Sequence, residues 1–97
     1  MEFEYDPPKS EANRKKHGIS LEDAAQLWEV TGVEIQARTE DELRFLRIGK
    51  IEGKFYSCIF TTRKAGAIRL ISARRSRAEE ENIYKENIEH ESKRKED

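Results

Sequence analysis

An apolar, β-rich run, Ile68-Arg69-Leu70-Ile71-Ser72-Ala73, passes directly into Arg74-Arg75-Ser76-Arg77. From Arg63 to Ala78 six residues are basic and none is acidic, although the whole chain has a formal net charge of only -1. Arginine presents a planar, permanently charged fork of donors that matches phosphate oxygens better than lysine's point charge does. Arginines displayed from the end of a strand suit recognition of a phosphodiester. For any one of them, a solvated face or an ion pair with Glu79 or Glu80 is the simpler reading; the cluster as a whole favours binding.

Groups able to move a proton are few. His17 titrates near neutrality when unperturbed, although a histidine just before Gly18 can equally serve as a cation at a helix C-terminus. Glu80 and Tyr84 are four apart and share a face if the segment is helical. Glu80 is either a general base or the partner that orients an arginine. Tyr84 either stacks on a base, donates a proton or packs in the core. Lys16 can add positive charge or remain solvated. His90 lies in a polar tail away from these groups.

The elements that must position these side chains follow from pattern. Glu2 to Tyr5 reads as a short strand ended by Pro7-Pro8, since proline cannot donate to a ladder. A helix from about Pro8 to His17 follows, with Gly18 as its stop and Lys15, Lys16 and His17 in its last turn. Ser20 caps a second helix in which Leu21, Ala24, Ala25 and Trp28 follow helical spacing, Trp28 being the expected core anchor. Val33 to Ala37 can form a strand. Leu43 to Ile48 and Lys54 to Thr62 read as a hairpin about Glu52-Gly53, and Ala67 to Ala73 as a further strand. A last helix is expected from Ser76 to about Glu89, with Ser76 and Glu79 at capping-box spacing. The resulting order, β-α-α-β-β-β-α, is an α+β fold with an antiparallel sheet packed by helices. Its other sheet face is left partly open, within reach of Arg44, Arg47 and Arg69.

Ninety-seven residues make one domain, expected over 1–90, with a polar, frayed tail over 91–97. The charged fraction is 40% and the hydrophobic fraction 35%, so the core is small. No apolar stretch is long enough to span a membrane and the N-terminus has no leader pattern, which implies a cytoplasmic protein with no membrane partner. The single cysteine, Cys58, excludes an internal disulfide and a cysteine-based metal site, and reads as a buried thiol. No metal and no cofactor is expected. The near-zero net charge hides segregation: Glu40, Asp41 and Glu42 form an acidic loop, and residues 79–97 carry eight acids against four bases.

Two ordered motifs carry a resemblance. Phe3-Glu4-Tyr5-Asp6-Pro7, Lys9, Asn13 and Lys16-His17-Gly18-Ile19-Ser20 resemble the opening of the BrnT toxin family. Asp41-Glu42-Leu43-Arg44, the hairpin, Arg63, Ile71-Ser72-Ala73-Arg74, Glu80 and Tyr84 resemble the rest of that pattern in order. Tyr5 stands where the family usually has tryptophan, and Arg75-Ser76 where Lys-Ala is frequent. The resemblance implies a RelE-like fold and a type II toxin: an endoribonuclease that cleaves RNA and arrests translation. It also implies neutralisation by a ribbon-helix-helix, BrnA-like antitoxin in a heterotetramer that reaches operator DNA through the antitoxin. The alternatives are a non-catalytic nucleic-acid-binding module and a degenerate toxin that keeps only antitoxin binding.

Cleavage of RNA without a metal needs a base for the 2′-hydroxyl proton, cations for the phosphorane charge and an acid for the leaving oxygen. On that scheme Arg74, Arg63, His17, Glu80 and Tyr84 are the catalytic candidates. Lys16, Arg44, Arg69, Arg75 and Arg77 are the candidates for RNA binding.

Overall fold

Alternating apolar residues fold residues 32–75 into a meander of strands. The computed structural model describes residues 1–37 and 41–96; Glu40 of the expected acidic loop and the last residue, Asp97, lie outside them. The elements are β1 (Phe3–Glu4), α1 (Pro7–His17), α2 (Leu21–Ala24) continuing into a 3₁₀ turn (Ala25–Trp28), β2 (Gly32–Ala37), β3 (Arg44–Ile51), β4 (Lys54–Thr62), β5 (Ile68–Arg75) and α3 (Ala78–Glu96). Helix α1 stops as expected: Gly18 takes the left-handed conformation, φ 78°, and its N–H donates to the Arg14 carbonyl. Ser20 caps α2 by accepting from the Asp23 N–H at 3.0 Å. At the β3–β4 turn Glu52 and Gly53 both have positive φ, 51° and 78°, the twist that a two-residue hairpin requires.

The sheet order is β1-β5-β4-β3-β2. This corrects the expected β-α-α-β-β-β-α topology with an antiparallel sheet. Four strands follow the helices, because Gly32–Ala37 pairs along its whole length with β3. The sheet is mixed, because β1 lies parallel to β5, with Phe3 opposite Ile68. No hairpin reverses the chain between β1 and its neighbour, so nothing imposes an antiparallel pairing there.

Helices cover both faces, not one. Adjacent strand residues point to opposite sides. On one side Cys58, Phe60, Ile68, Leu70 and Ala73 pack against Ile19, Leu21, Ala24 and Leu27. Trp28 is partly buried there, its ring edge-on to Phe3 at 5.4 Å and to Phe60 at 5.0 Å. On the other side Leu46, Ile48 and Phe55 pack with Ile35, Ile59, Ile83 and Tyr84, so α3 lies over β2, β3 and β4 and leaves the β5 side open. Helix α3 runs to Glu96, past the end expected near Glu89. Among the described residues no helix is long and apolar enough to cross a membrane.

Two polar side chains tie α1 into this frame. Ser10 is buried and its hydroxyl accepts from the N–H groups of Leu21 and Glu22 at 2.9 and 3.3 Å, supplying partners to orphan donors at the start of α2. The Asn13 side chain donates to the Ile19 carbonyl at 2.7 Å and to the Ala73 carbonyl at 2.9 Å, and accepts from the Ala73 N–H at 3.2 Å. It occupies the β5 edge beyond the point where β1 stops.

Arg47 does not reach the open face, as its place in the sequence had suggested. It points toward α2, where its guanidinium donates to the carbonyls of Leu27 and Val30 at 2.8 and 3.0 Å, bonds Glu34 at 2.7 Å and lies 5.4 Å over the Trp28 ring. Its register opposite Cys58 puts it on that side.

Burial pushes the Cys58 thiol up to about 12, far from the thiolate form that reacts. We expect Cys58 to resist thiol reagents at neutral pH in the native protein and to react once in denaturant. Native-state labelling at the denatured rate would mean that β4 opens locally.

Candidate nucleic-acid interface

The uncovered part of the α3 face is a row of polar side chains across the sheet. Thr61 of β4 stands opposite Arg69 of β5, and Arg69 opposite Glu4 of β1. Arg44 of β3, next to the Phe45–Phe60 pair, extends the row on the other side of Thr61. Arg63 joins from the turn before β5, where its N–H donates to the Ala67 carbonyl at 2.8 Å. With Lys9 from α1, these arginines line a cleft of about 160 Å³ whose other walls are Asp6, Glu42, Leu70 and Ile71. Arg44 bonds Glu42 at 2.9 Å. Arg63 and Arg69 face the Glu4 carboxylate at 3.9 and 4.0 Å, beyond hydrogen-bond distance.

Arg74 lies further along β5 on the same face, opposite Ser57. Its fork is filled. The two terminal nitrogens donate to the two Glu80 oxygens at 2.7 and 2.8 Å. The pair is half hidden from water, with side-chain exposures of 22% for Arg74 and 8% for Glu80. Glu80 Oε1 also accepts from the Ser57 hydroxyl and from the Arg77 N–H, each at 2.9 Å. Since the Ser57 proton is committed to Glu80, the 2.7 Å contact between the Ser57 and Ser76 hydroxyls has Ser76 as donor.

Burial alone pushes the Glu80 carboxyl up. Its hydrogen bonds from Arg74, the Arg77 N–H and Ser57, with the Arg74 charge, more than offset this and hold it at about 2. The hydrogen bonds that Arg74 donates to Glu80 in turn hold Arg74 more firmly protonated.

The expected capping box is shifted by one residue. Glu80, rather than Glu79, reaches back to a backbone N–H, and that N–H belongs to Arg77. Ser76 is freed to bond Ser57. Position 57 carried a signal: a serine between Phe55 and Ile59 on a core-facing side calls for a polar partner. Sequence could not say that the partner would be Glu80.

The remaining candidates are dispersed. Tyr84 packs its ring edge-on against Phe55 at 5.1 Å, in the small cluster beneath α3. Arg75 donates from Nε to the Phe55 carbonyl at 3.2 Å and lies 5.5 Å over the Tyr56 ring, on the α2 side. Lys16 and the Arg77 side chain are exposed. His17 ends α1, about 12 Å of helix rise from Lys9 and one turn beyond Asn13. Among the described residues it has no hydrogen bond or ion pair with Arg74, Glu80 or Tyr84. No three of His, Cys, Asp and Glu come together as a metal cluster among the described residues.

A family of sequences described as "Ribonuclease toxin, BrnT, of type II toxin-antitoxin system" matches residues 5–80, a span that includes Arg63, Arg69, Arg74 and Glu80 but not Tyr84. Among solved structures the chain is similar to the crystal structure of the Brucella abortus ribonuclease toxin BrnT, with 25% identity and a TM-score of 0.60. The match covers 79% of this chain and 97% of that one. No curated protein sequence matches the chain.

Proposed function

This chain belongs to the BrnT family of ribonuclease toxins of type II toxin–antitoxin systems, and from that premise we propose that it is a metal-independent endoribonuclease that cleaves RNA and arrests translation. The observation that carries the reading is the row of arginines on the open face of β5, with Arg74 held in a fixed pose by Glu80. A preorganised guanidinium contributes most where charge develops on the phosphorane, because it need not reorganise during the step. Arg74 is assigned that role through the N–H groups on Nε and Nη2 that Glu80 and the Arg75 carbonyl leave unbonded.

Glu80 is a positioning residue. A base that works near neutrality should have a pKa near the operating pH, whereas this carboxylate sits at about 2 and spends its lone pairs on four donors. Tyr84 is assigned to packing, by its contact with Phe55. His17 remains the proton-transfer candidate. Arg44, Arg63 and Arg69 hold the strand, with Lys16, Arg75 and Arg77 at its margins. The protein works in the cytoplasm, has a RelE-like fold and is silenced by a ribbon-helix-helix, BrnA-like antitoxin. The complex is a heterotetramer that contacts operator DNA through the antitoxin.

The rival reading, a non-catalytic binder or a toxin reduced to antitoxin binding, is favoured by one observation: His17 is not hydrogen-bonded to the Arg74–Glu80 pair. Incubating antitoxin-free protein with defined RNA in EDTA separates the two. We expect cleavage that continues in EDTA and leaves 2′,3′-cyclic phosphate ends. Loss of cleavage on chelation, restored by a divalent metal, would overturn metal independence. Intact RNA under all conditions would favour the binder.

A further inference from the structure

The arginines of β5 differ in what occupies their donors. The Arg74 fork is filled by Glu80. Those of Arg63 and Arg69 are open: neither side chain makes a hydrogen bond among the described residues, and the Glu4 carboxylate they share stands at 3.9 and 4.0 Å. A guanidinium has five N–H donors to place. We propose that the cleft bounded by Lys9, Arg44, Arg63 and Arg69 is a second phosphate subsite. It holds a phosphodiester of the same RNA strand, several nucleotides away from the one cleaved at Arg74. The assignment of the cleaved bond to Arg74 rests on the ribonuclease reading above.

Size, charge and support agree with this ligand. The cleft of about 160 Å³ has room for a phosphate group. Four cations line it against two carboxylates, Asp6 and Glu42, with Glu4 at its edge 3.9 and 4.0 Å from Arg63 and Arg69, and Glu42 is already bonded by Arg44. Leu70 and Ile71 form the rest of the wall. Arg44 and Arg69 rise from β3 and β5 on either side of Thr61, so the sheet fixes the spacing of their backbones.

Position sets the register. From Arg69 to Arg74 the chain advances five residues, roughly 16 Å at the usual rise of a strand, less the shortening at the irregularity opposite Ile59 and Phe60. At about 3.4 Å per nucleotide for a stacked strand, this separates the two phosphates by up to about five nucleotides, and by fewer when the strand is extended. Substrates too short to reach from Arg74 to the cleft lose its contribution.

The test compares an RNA dinucleotide, whose single phosphate is the scissile one, with an oligonucleotide of about twelve nucleotides containing the same cleavage site, using the wild type and an Arg63→Gln, Arg69→Gln double variant. Both arginines are solvent-accessible and pair only at long range, so the variant should melt like the wild type. The wild type should prefer the long substrate in kcat/KM, and the double variant should lose roughly tenfold of that preference for each arginine removed. A preference that survives in the variant, or equal losses on both substrates, overturns the subsite. Equilibrium binding of the same oligonucleotides, read by fluorescence anisotropy, should show the same length dependence and the same loss. If the wild type cleaves neither oligonucleotide, the ribonuclease reading fails by itself, and the anisotropy series still decides the subsite.

Discussion

Arg74→Ala should destabilise the fold by about 3–5 kcal/mol, the usual cost of leaving one member of a buried ion pair without its partner. Were the pair exposed, the cost would be no more than about 1 kcal/mol. The structure removes that premise, since Glu80 is 8% exposed and takes both ends of the Arg74 fork. Urea unfolding of the two proteins measures the difference. The pH dependence gives a second check. Glu80 titrates at about 2 in the fold against an ordinary value of 4.5, so its stabilisation is present above the ordinary value and is lost as pH falls through the lower one. The gap between wild type and Arg74→Ala should therefore narrow on acidification between about 4.5 and 2. Because a poorly folded variant says little about catalysis, Arg74→Met with Glu80→Leu is the companion. An apolar pair of similar volume can restore stability, yet the cleavage rate should remain about 10²–10³ lower, as when one preorganised donor is lost. A stable double variant that cleaves RNA at the wild-type rate would return Arg74 to a purely structural role.

Asn13→Ala should cost about 2–4 kcal/mol, because three hydrogen bonds go and two of them leave Ala73 backbone groups without partners. The effect should be local as well as global. Amide exchange at Ala73 should accelerate, since the Asn13 carbonyl is what protects that N–H on the strand edge. Asn13→Asp separates the components: it keeps an acceptor for the Ala73 N–H but has no donor for the carbonyls of Ile19 and Ala73. Its loss should be smaller in exchange at Ala73 than in overall stability. Normal stability in both variants would mean that α1 is held to β5 by other contacts.

Local chemistry was legible in the sequence and long-range geometry was not. Gly18, Ser20 and Glu52-Gly53 act within a few residues of themselves, and the stop, cap and hairpin they specify are present. Alternation placed β3, β4 and β5 and marked the arginines as strand-borne. The parallel pairing of β1 with β5 depends on two segments far apart in the chain, and no local pattern encodes it. Arg47 was misplaced because alternation says which residues share a face but not which face a helix will cover. Glu80 was marked in the sequence as a general base or an arginine's partner, with the capping role given to Glu79. The serine on β4 that faces Glu80 is a contact visible only after the sheet has formed.

The pairing of β1 with β5 also bears on when activity can arise during synthesis. Strands β2 to β5 are joined by short connections and can pair soon after they emerge, since a hairpin closes in about 1–10 μs. The ladder between Phe3 and Ile68 must instead close about two thirds of the chain, which is entropically costly and slow. The cleft takes Asp6 and Lys9 from one end of that span and Arg63 and Arg69 from the other. At roughly 5–20 residues per second of translation, these two groups leave the ribosome about 3–12 s apart. The Arg74–Glu80 pair comes later still. A nascent chain therefore cannot assemble this cleft until Arg69 has left the ribosome.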